Sequence, residues 1–206
     1  MKKINKNELK KIVESYGKYV WGKPGGKSAS LHDTNLRKAN LKDAKLNSIA
    51  MYRSDLTKAD LSGANLTQAY LWESILENAK LVNATLMHAS MARATLTKAD
   101  LSNSNCRNAK MKEVNLSKAN LTKANLSGCD LTNADLSNAT LDEVNLSGAN
   151  LTGANLSGTF MRKVKLERTN LTDVNLEDAE LEDIYWTKAL YTPPQYEELL
   201  KRSWEK

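Results

Sequence analysis

From Leu31 to Leu181 every fifth residue is Leu or Met, with Cys106 the single exception, so that thirty-one pentads run without an insertion or deletion. Trp186 stands where a thirty-second would be centred. Two residues before each of these positions, from Ala29 to Ile184, the side chain is small: 19 Ala, 4 Val, 3 Thr, 3 Ser, 2 Ile and Cys129. One residue before, 17 of 32 positions are Asn or Asp, as in Lys38-Ala39-Asn40-Leu41. The other two positions of each pentad are polar almost throughout.

A period of five excludes both regular elements. Residues five apart on an α-helix are rotated by about 140°, so the leucines would spiral around its surface. On a continuous strand, alternate leucines would face opposite sides. The chain must therefore turn within every pentad, with Leu and the small residue two before it pointing inward and the rest outward. Gly63, Gly128, Gly148, Gly153 and Gly158, with Asn78, Asn83, Asn103, Asn108, Asn133 and Asn138, all lie two residues past a Leu-type position. These residue types tolerate the positive φ of a type II turn.

The number of sides follows from longer spacings. At intervals of 20 the outward residues Asp33, Arg53, Glu73, Arg93 and Glu113 alternate in sign, whereas intervals of 15 from Asp33 give Ser48, Gly63 and Asn78 without pattern. Met51, Met91 and Met111 fall in one 20-residue column as well. Four pentads per coil is the predicted arrangement, with Arg53 and Glu73 side by side on neighbouring rungs. At the inter-strand spacing of a sheet, nearly eight coils give a solid rod about 38 Å long.

Tandem A(D/N)LXX pentads over residues 29–186 resemble the pentapeptide repeat family. The resemblance implies an all-β solenoid, a right-handed quadrilateral β-helix. The lead-in from Trp21 to Leu31, with Gly25-Gly26 before the first pentad, is also similar to that of many bacterial and phage members. Some members that protect DNA gyrase from quinolones are dimers joined at their C-terminal ends and imitate duplex DNA in shape and charge.

The ends are built differently. A solenoid exposes its apolar core at both ends and needs covers, and eight of the twelve aromatics lie outside the regular repeats or at their last edge. Residues 1–28 predict an N-terminal helical cap and lead-in. Asn5-Lys6-Asn7-Glu8 resembles a capping box, and a helix from about Lys6 presents Leu9, Ile12, Val13 and Tyr16 on one face, with Gly17 as its stop. Residues 29–187 form the β-helix. Over residues 188–206, Thr192-Pro193-Pro194-Gln195 predicts a second helix start, with Tyr196, Leu199, Leu200 and Trp204 as its apolar side. This helix is either a lid or the contact of a homodimer.

Charge is distributed unevenly. Of the net +6, all is accounted for by residues 1–30, with eight Lys and two Glu. Residues 31–128 hold 14 basic and 8 acidic groups, residues 129–206 the reverse, 8 and 14. A uniformly basic nucleic-acid binder would look different, and direct nucleic-acid binding is not expected. No apolar run approaches the ~18 residues of a membrane span. The start, Met1 to Lys11, imitates the basic region of a signal peptide, but Glu8, Lys10, Lys11 and Glu14 interrupt any apolar stretch after it. A cytoplasmic protein is the expectation.

A tube filled by side chains leaves no concave catalytic site. His32 and His88 fall at outward positions, Ser and Thr have no paired base, and Cys106 and Cys129 occupy core positions with no metal-binding spacing. No enzymatic activity, cofactor or metal is expected. Three surface features stand out. Tyr52 and Trp72 share an outward column, with Tyr70 and Ile75 replacing Asn or Asp beside them: either a partner-binding patch or a ladder that merely shields itself. Lys38, Lys58, Lys98 and Lys118 share another column: a phosphate track or, as Asp60 and Asp100 nearby favour, a solvated, partly neutralised face. Asp173, Glu177, Asp178, Glu180, Glu182 and Asp183 surround the last full coil, as a solvated rim or a display toward a cationic partner. The sequence thus favours a non-enzymatic scaffold or protein-interaction module, with a gyrase-binding DNA mimic as the alternative.

Overall fold

The structure, a computed structural model, describes residues 1–190. Its repeating unit is explained by following the backbone donors of one pentad. Leu56 N–H donates to Ile75 O on the next coil (2.7 Å), Lys58 N–H to Glu77 O (2.9 Å), and Asp60 N–H to Ala39 O on the preceding coil (2.9 Å). Ala59 N–H closes the turn onto Leu56 O (2.9 Å). The fifth donor, Thr57 N–H, is left over, and the Asp55 side chain takes it at 2.9 Å. Buried or half-buried backbone groups require partners, so the Asn/Asp preference before each Leu has a cause. All 17 of these Asn and Asp residues accept from the N–H two residues on.

Consecutive pentads bridge in parallel to the residue 20 further along, from Ser30↔Ala50 and Asn35↔Asp55 to Asn170↔Leu190. Each coil therefore has four sides, and columns of residues 20 apart run along each side. Pairing is confined to short bridges because every side is only a pentad long before the chain turns. Longer pairing occurs where β3 (Phe160–Arg162) meets β4 (Glu180–Glu182) in parallel.

The turn position is as expected, but its composition is less restricted than Gly and Asn alone suggest. All thirty-two residues two past the Leu-type position, Asp33 to Lys188, have positive φ, and only five are Gly. Lys, Glu, Arg and His accept φ of 53° to 60° there. The rung hydrogen bonds hold each turn in place against the roughly 1–2 kcal/mol this conformation costs a non-Gly residue.

Inside, the Leu-type column and the small column are buried together from Leu31 to Leu181, with Ala39 only partly so. Where Ser or Thr takes a small position, its hydroxyl finds a partner: Ser54 donates to Leu31 O at 2.6 Å, Thr159 to Leu156 O at 2.7 Å and Thr169 to Leu146 O at 2.8 Å, while Ser104 Oγ lies 3.5 Å from Cys106 Sγ. Among the described residues no buried side-chain N or O lacks a partner.

The first coil is closed by two elements. β1 (Lys2–Lys3) pairs in parallel with β2 (Thr34–Asn35), extending the edge by one strand, and Lys2 N–H donates to Asp33 O at 2.6 Å. Helix α1 (Lys6–Val20) starts at the Asn5 cap, whose side chain accepts from Glu8 N–H at 2.9 Å. Leu9 and Tyr16 are buried against the core, with Ile12 and Val13 partly so, and the Tyr16 hydroxyl donates to Asn47 O at 2.7 Å. Gly17 does not stop the helix. It continues to Val20 and ends in a Schellman motif, Lys23 N–H to Lys18 O (2.8 Å) and Gly22 N–H to Tyr19 O (3.0 Å), with Gly22 at φ 60°. Gly26 is the required glycine of the lead-in, because a Cβ would lie 2.2 Å from Tyr19 N. Tyr196, Leu199, Leu200 and Trp204, expected to form the C-terminal lid or dimer contact, lie outside the described residues.

Candidate functional site

One side of the first coils carries an unusual column. His32, Tyr52 and Trp72 stand 20 residues apart, and the rung spacing of a parallel sheet matches the thickness of stacked rings. His32 stacks on Tyr52 with centroids 4.8 Å apart and planes at 15°; Tyr52 stacks on Trp72 at 4.4 Å and 7°. Tyr52 and Trp72 are the pair the sequence singles out, whereas His32 reads there as an isolated surface histidine. Its place 20 residues before Tyr52 is the signal that joins it to them.

Arg53 fixes the ladder's edge. Its guanidinium lies 5.2 Å from the Tyr52 ring centroid and 5.4 Å from that of Trp72. It also holds Asp33 by two hydrogen bonds, Nε to Oδ1 at 2.9 Å and Nη2 to Oδ2 at 2.6 Å. Those bonds hold the Asp33 carboxyl below its usual range. The sign-alternating column is thus present on one face, with one revision. Arg53 is ion-paired to Asp33 and covers the rings, whereas Glu73 pairs with Arg93 (4.0 Å), which bonds Glu113 at 2.8 Å. A bidentate carboxylate contact combined with two ring faces outweighs a single exposed pairing with Glu73.

Below Trp72 the column continues with Ala92 and Lys112. The ring series ends there in a depression of about 380 Å³, lined beyond Trp72 by Ser90, Ala92, Arg93, Lys112 and Glu113.

Tyr70 and Ile75 take different places. Tyr70 flanks Leu71 on the same side as Trp72, half exposed, in the column of Ala50 and Ser90. Ile75 belongs to the next pentad, around the turn, in the column of Asp55 and Thr95. Neither can accept the fifth donor of its pentad through its side chain. Six successive pre-Leu positions, Tyr70, Ile75, Lys80, Thr85, Ser90 and Thr95, interrupt the Asn/Asp run between Asn65 and Asp100. Tyr70→Asn should restore the missing acceptor for Trp72 N–H and raise stability by about 0.5–1.5 kcal/mol. Urea denaturation measures this, and an unchanged or lower midpoint counts against the donor accounting.

All six residues of the acidic end are exposed. Glu182 and Asp183, however, terminate two alternating columns, Asp142–Arg162–Glu182 and Glu143–Lys163–Asp183. Arg162 forms a bidentate pair with Asp142 (2.8 and 2.7 Å) and also feels the charge of Glu182. The Lys38, Lys58, Lys98 and Lys118 column occupies turn corners with positive φ. Cys106 and Cys129 are buried, with Cys129 Sγ donating to Cys106 O at 2.9 Å. Among the described residues no group of three His, Cys, Asp or Glu is placed to hold a metal ion, and no helix is long and apolar enough to cross a membrane.

The sequence profile of the Pentapeptide repeats family matches in eight copies, over residues 54–91, 89–128, 129–168 and 149–184. This chain belongs to the pentapeptide repeat family. Solved pentapeptide repeat proteins are right-handed quadrilateral β-helices. Among those similar to this one is HetL, a protein involved in heterocyst differentiation regulation in the cyanobacterium Nostoc sp. strain PCC 7120. The two share 24% identity over 91% of this chain and 94% of HetL, with a TM-score of 0.55. Rfr23 from the cyanobacterium Cyanothece 51142 is 32% identical over 47% of this chain and 63% of its own, with a TM-score of 0.38. A trypsin-treated variant of QnrB1, a plasmid-mediated fluoroquinolone resistance protein, is 16% identical over 85% and 95%, with a TM-score of 0.47. No curated protein sequence matches this chain. The stacked column from His32 to Trp72 stands one residue after the Leu-type position, where Ser117, Thr122, Ser127 and Thr132 stand further along the rod.

Proposed function

We propose that this pentapeptide repeat protein is a non-enzymatic interaction module. In this reading it is a cytoplasmic bacterial rod of about eight coils that presents a partner-binding side near Trp72. The observation that carries the reading is the stacked column of His32, Tyr52 and Trp72 clamped by Arg53. It stands beside Tyr70 and Ile75, where the fold gives up the side-chain acceptors it uses in 17 other pentads. Half-buried aromatic rings held rigid by packing, with one side open to solvent, are the composition of binding hot spots, because little side-chain entropy remains to be lost on contact.

A gyrase-binding DNA mimic is less well supported. Duplex DNA carries about one charge per 1.7 Å of axis. Here Glu182 and Asp183 follow Arg162 and Lys163 in their columns, and no continuous acidic track is formed along those two columns.

Trp72→Ala tests the proposal. Binding of a partner recovered with the wild-type rod should fall at least tenfold, while the melting temperature moves by no more than a few degrees, since Trp72 lies outside the core. Strong destabilisation with binding intact would make the column a purely structural ladder.

A further inference from the structure

The ladder stops while the column that carries it goes on. His32, Tyr52 and Trp72 are spaced by 4.8 and 4.4 Å, and the next two residues of the column, Ala92 and Lys112, bring no ring. The face of Trp72 turned away from Tyr52 therefore borders the 380 Å³ depression, and Lys112 forms its opposite wall. Two rungs separate Trp72 from Lys112, roughly 10 Å at the spacing of neighbouring strands. That gap accommodates one planar ring stacked on the indole, with the lysine ammonium on the ring's other face. Cation–π attraction favours an electron-rich ring in that place.

The charges around the slot narrow the choice further. Arg93 bonds Glu113 at 2.8 Å and lies 4.0 Å from Glu73, and Lys112 lies 3.9 Å from Glu113. Two cations meet two carboxylates, which leaves no surplus positive charge for a phosphate. A nucleobase would arrive with a phosphodiester; a neutral ring on a polypeptide would not. The carboxylates and the Ser90 hydroxyl in the slot's lining are suited to accept from an indole N–H or a phenol O–H.

We infer that the slot over Ala92 receives a Trp or Tyr side chain projecting from a protein partner, which enters as the fourth ring of the ladder between Trp72 and Lys112. This rests on the reading of the Trp72 side as a partner surface and specifies what that surface recognises.

The test is selection of displayed peptides on the wild-type rod alone, with the recovered peptides then measured on Ala92→Trp, in which the slot is filled from within. Recovered peptides should share a Trp or Tyr whose replacement by Ala weakens binding at least tenfold. Ala92→Trp should produce the same loss with an unchanged or higher melting temperature. Ala92→Arg, which closes the slot with a flexible chain, should do likewise, so the result does not depend on one variant folding. No enrichment, no shared ring, or binding to both variants within twofold of wild type overturns the inference. So does displacement of the peptides by a single-stranded oligonucleotide but not by N-acetyl-tryptophanamide. Peptides lost on Trp72→Ala but retained on both Ala92 variants would remove the slot and leave the partner surface standing; peptides indifferent to all three would remove both.

Discussion

Leu101→Asp is expected to abolish cooperative folding of the middle of the rod. Leu101 is fully buried, in a column whose neighbours 20 residues away are Leu81 and Leu121, both equally buried. A carboxylate there has no cation and no free donor within reach, because the N–H groups around it are committed to the rungs. An uncompensated buried charge costs several kcal/mol, against a total stability of roughly 5–15 kcal/mol for a domain. In a solenoid each coil is supported by its neighbours, so the damage should uncouple the two ends rather than stay local. Circular dichroism on heating should show loss of the single transition or a fall of well over ten degrees. Ser102→Asp, one residue away and facing outward, is the control and should lie within about 0.5 kcal/mol of wild type. A Leu101→Asp variant melting within a few degrees of wild type would overturn the inside-outside assignment.

Native thiols should be almost inert. Burial pushes the Cys106 thiol up to about 11, and pushes Cys129 higher as well. The thiolate is the reactive form, so at neutral pH this shift alone lowers the reactive fraction of Cys106 by about two orders of magnitude relative to an ordinary thiol. Access adds to the effect: reagent reaches either sulfur only when a coil opens, and core opening is governed by free energies approaching the global stability. Alkylation by iodoacetamide should therefore run at least about a thousandfold slower in buffer than in denaturing urea. Both cysteines should react together as the rod unfolds. Rapid labelling of Cys106 alone in buffer would mean that its side of the coil is not closed.

The sequence made the repeating part legible because a strict period of five leaves few physical options. Once Leu101 and its counterparts must all face inward, the turn, the small column and the four-sided coil follow, and the bridges at 20-residue spacing agree. Reasons were harder to read than positions. The preference for Asn or Asp before each Leu is visible as a count, but only the tally of five backbone donors around residues such as Thr57 explains it. At the candidate site, Tyr52 and Trp72 were legible as large side chains in outward positions. His32 was missed although the same column contains it, and Ala92 carried no signal because its importance lies in the atoms it lacks. The choice Arg53 makes between Asp33 and Glu73 depends on ring faces that sign alternation alone does not encode. Gly17 misled because a glycine inside a helix is tolerated when the remaining turn is anchored by packing, here through Tyr16 and the Schellman motif at Gly22.

The four-sided coil separates two quantities that most folds vary together. Removing twenty residues from the rod shortens the distance between its ends by one rung and leaves every remaining column facing its original direction. Removing five turns everything downstream by a quarter revolution at almost constant length. A coil is thus a unit of distance and a pentad a unit of angle. The unbroken count from Leu31 to Leu181 fixes the compass bearing of the acidic end relative to the ring column, as well as the separation between them.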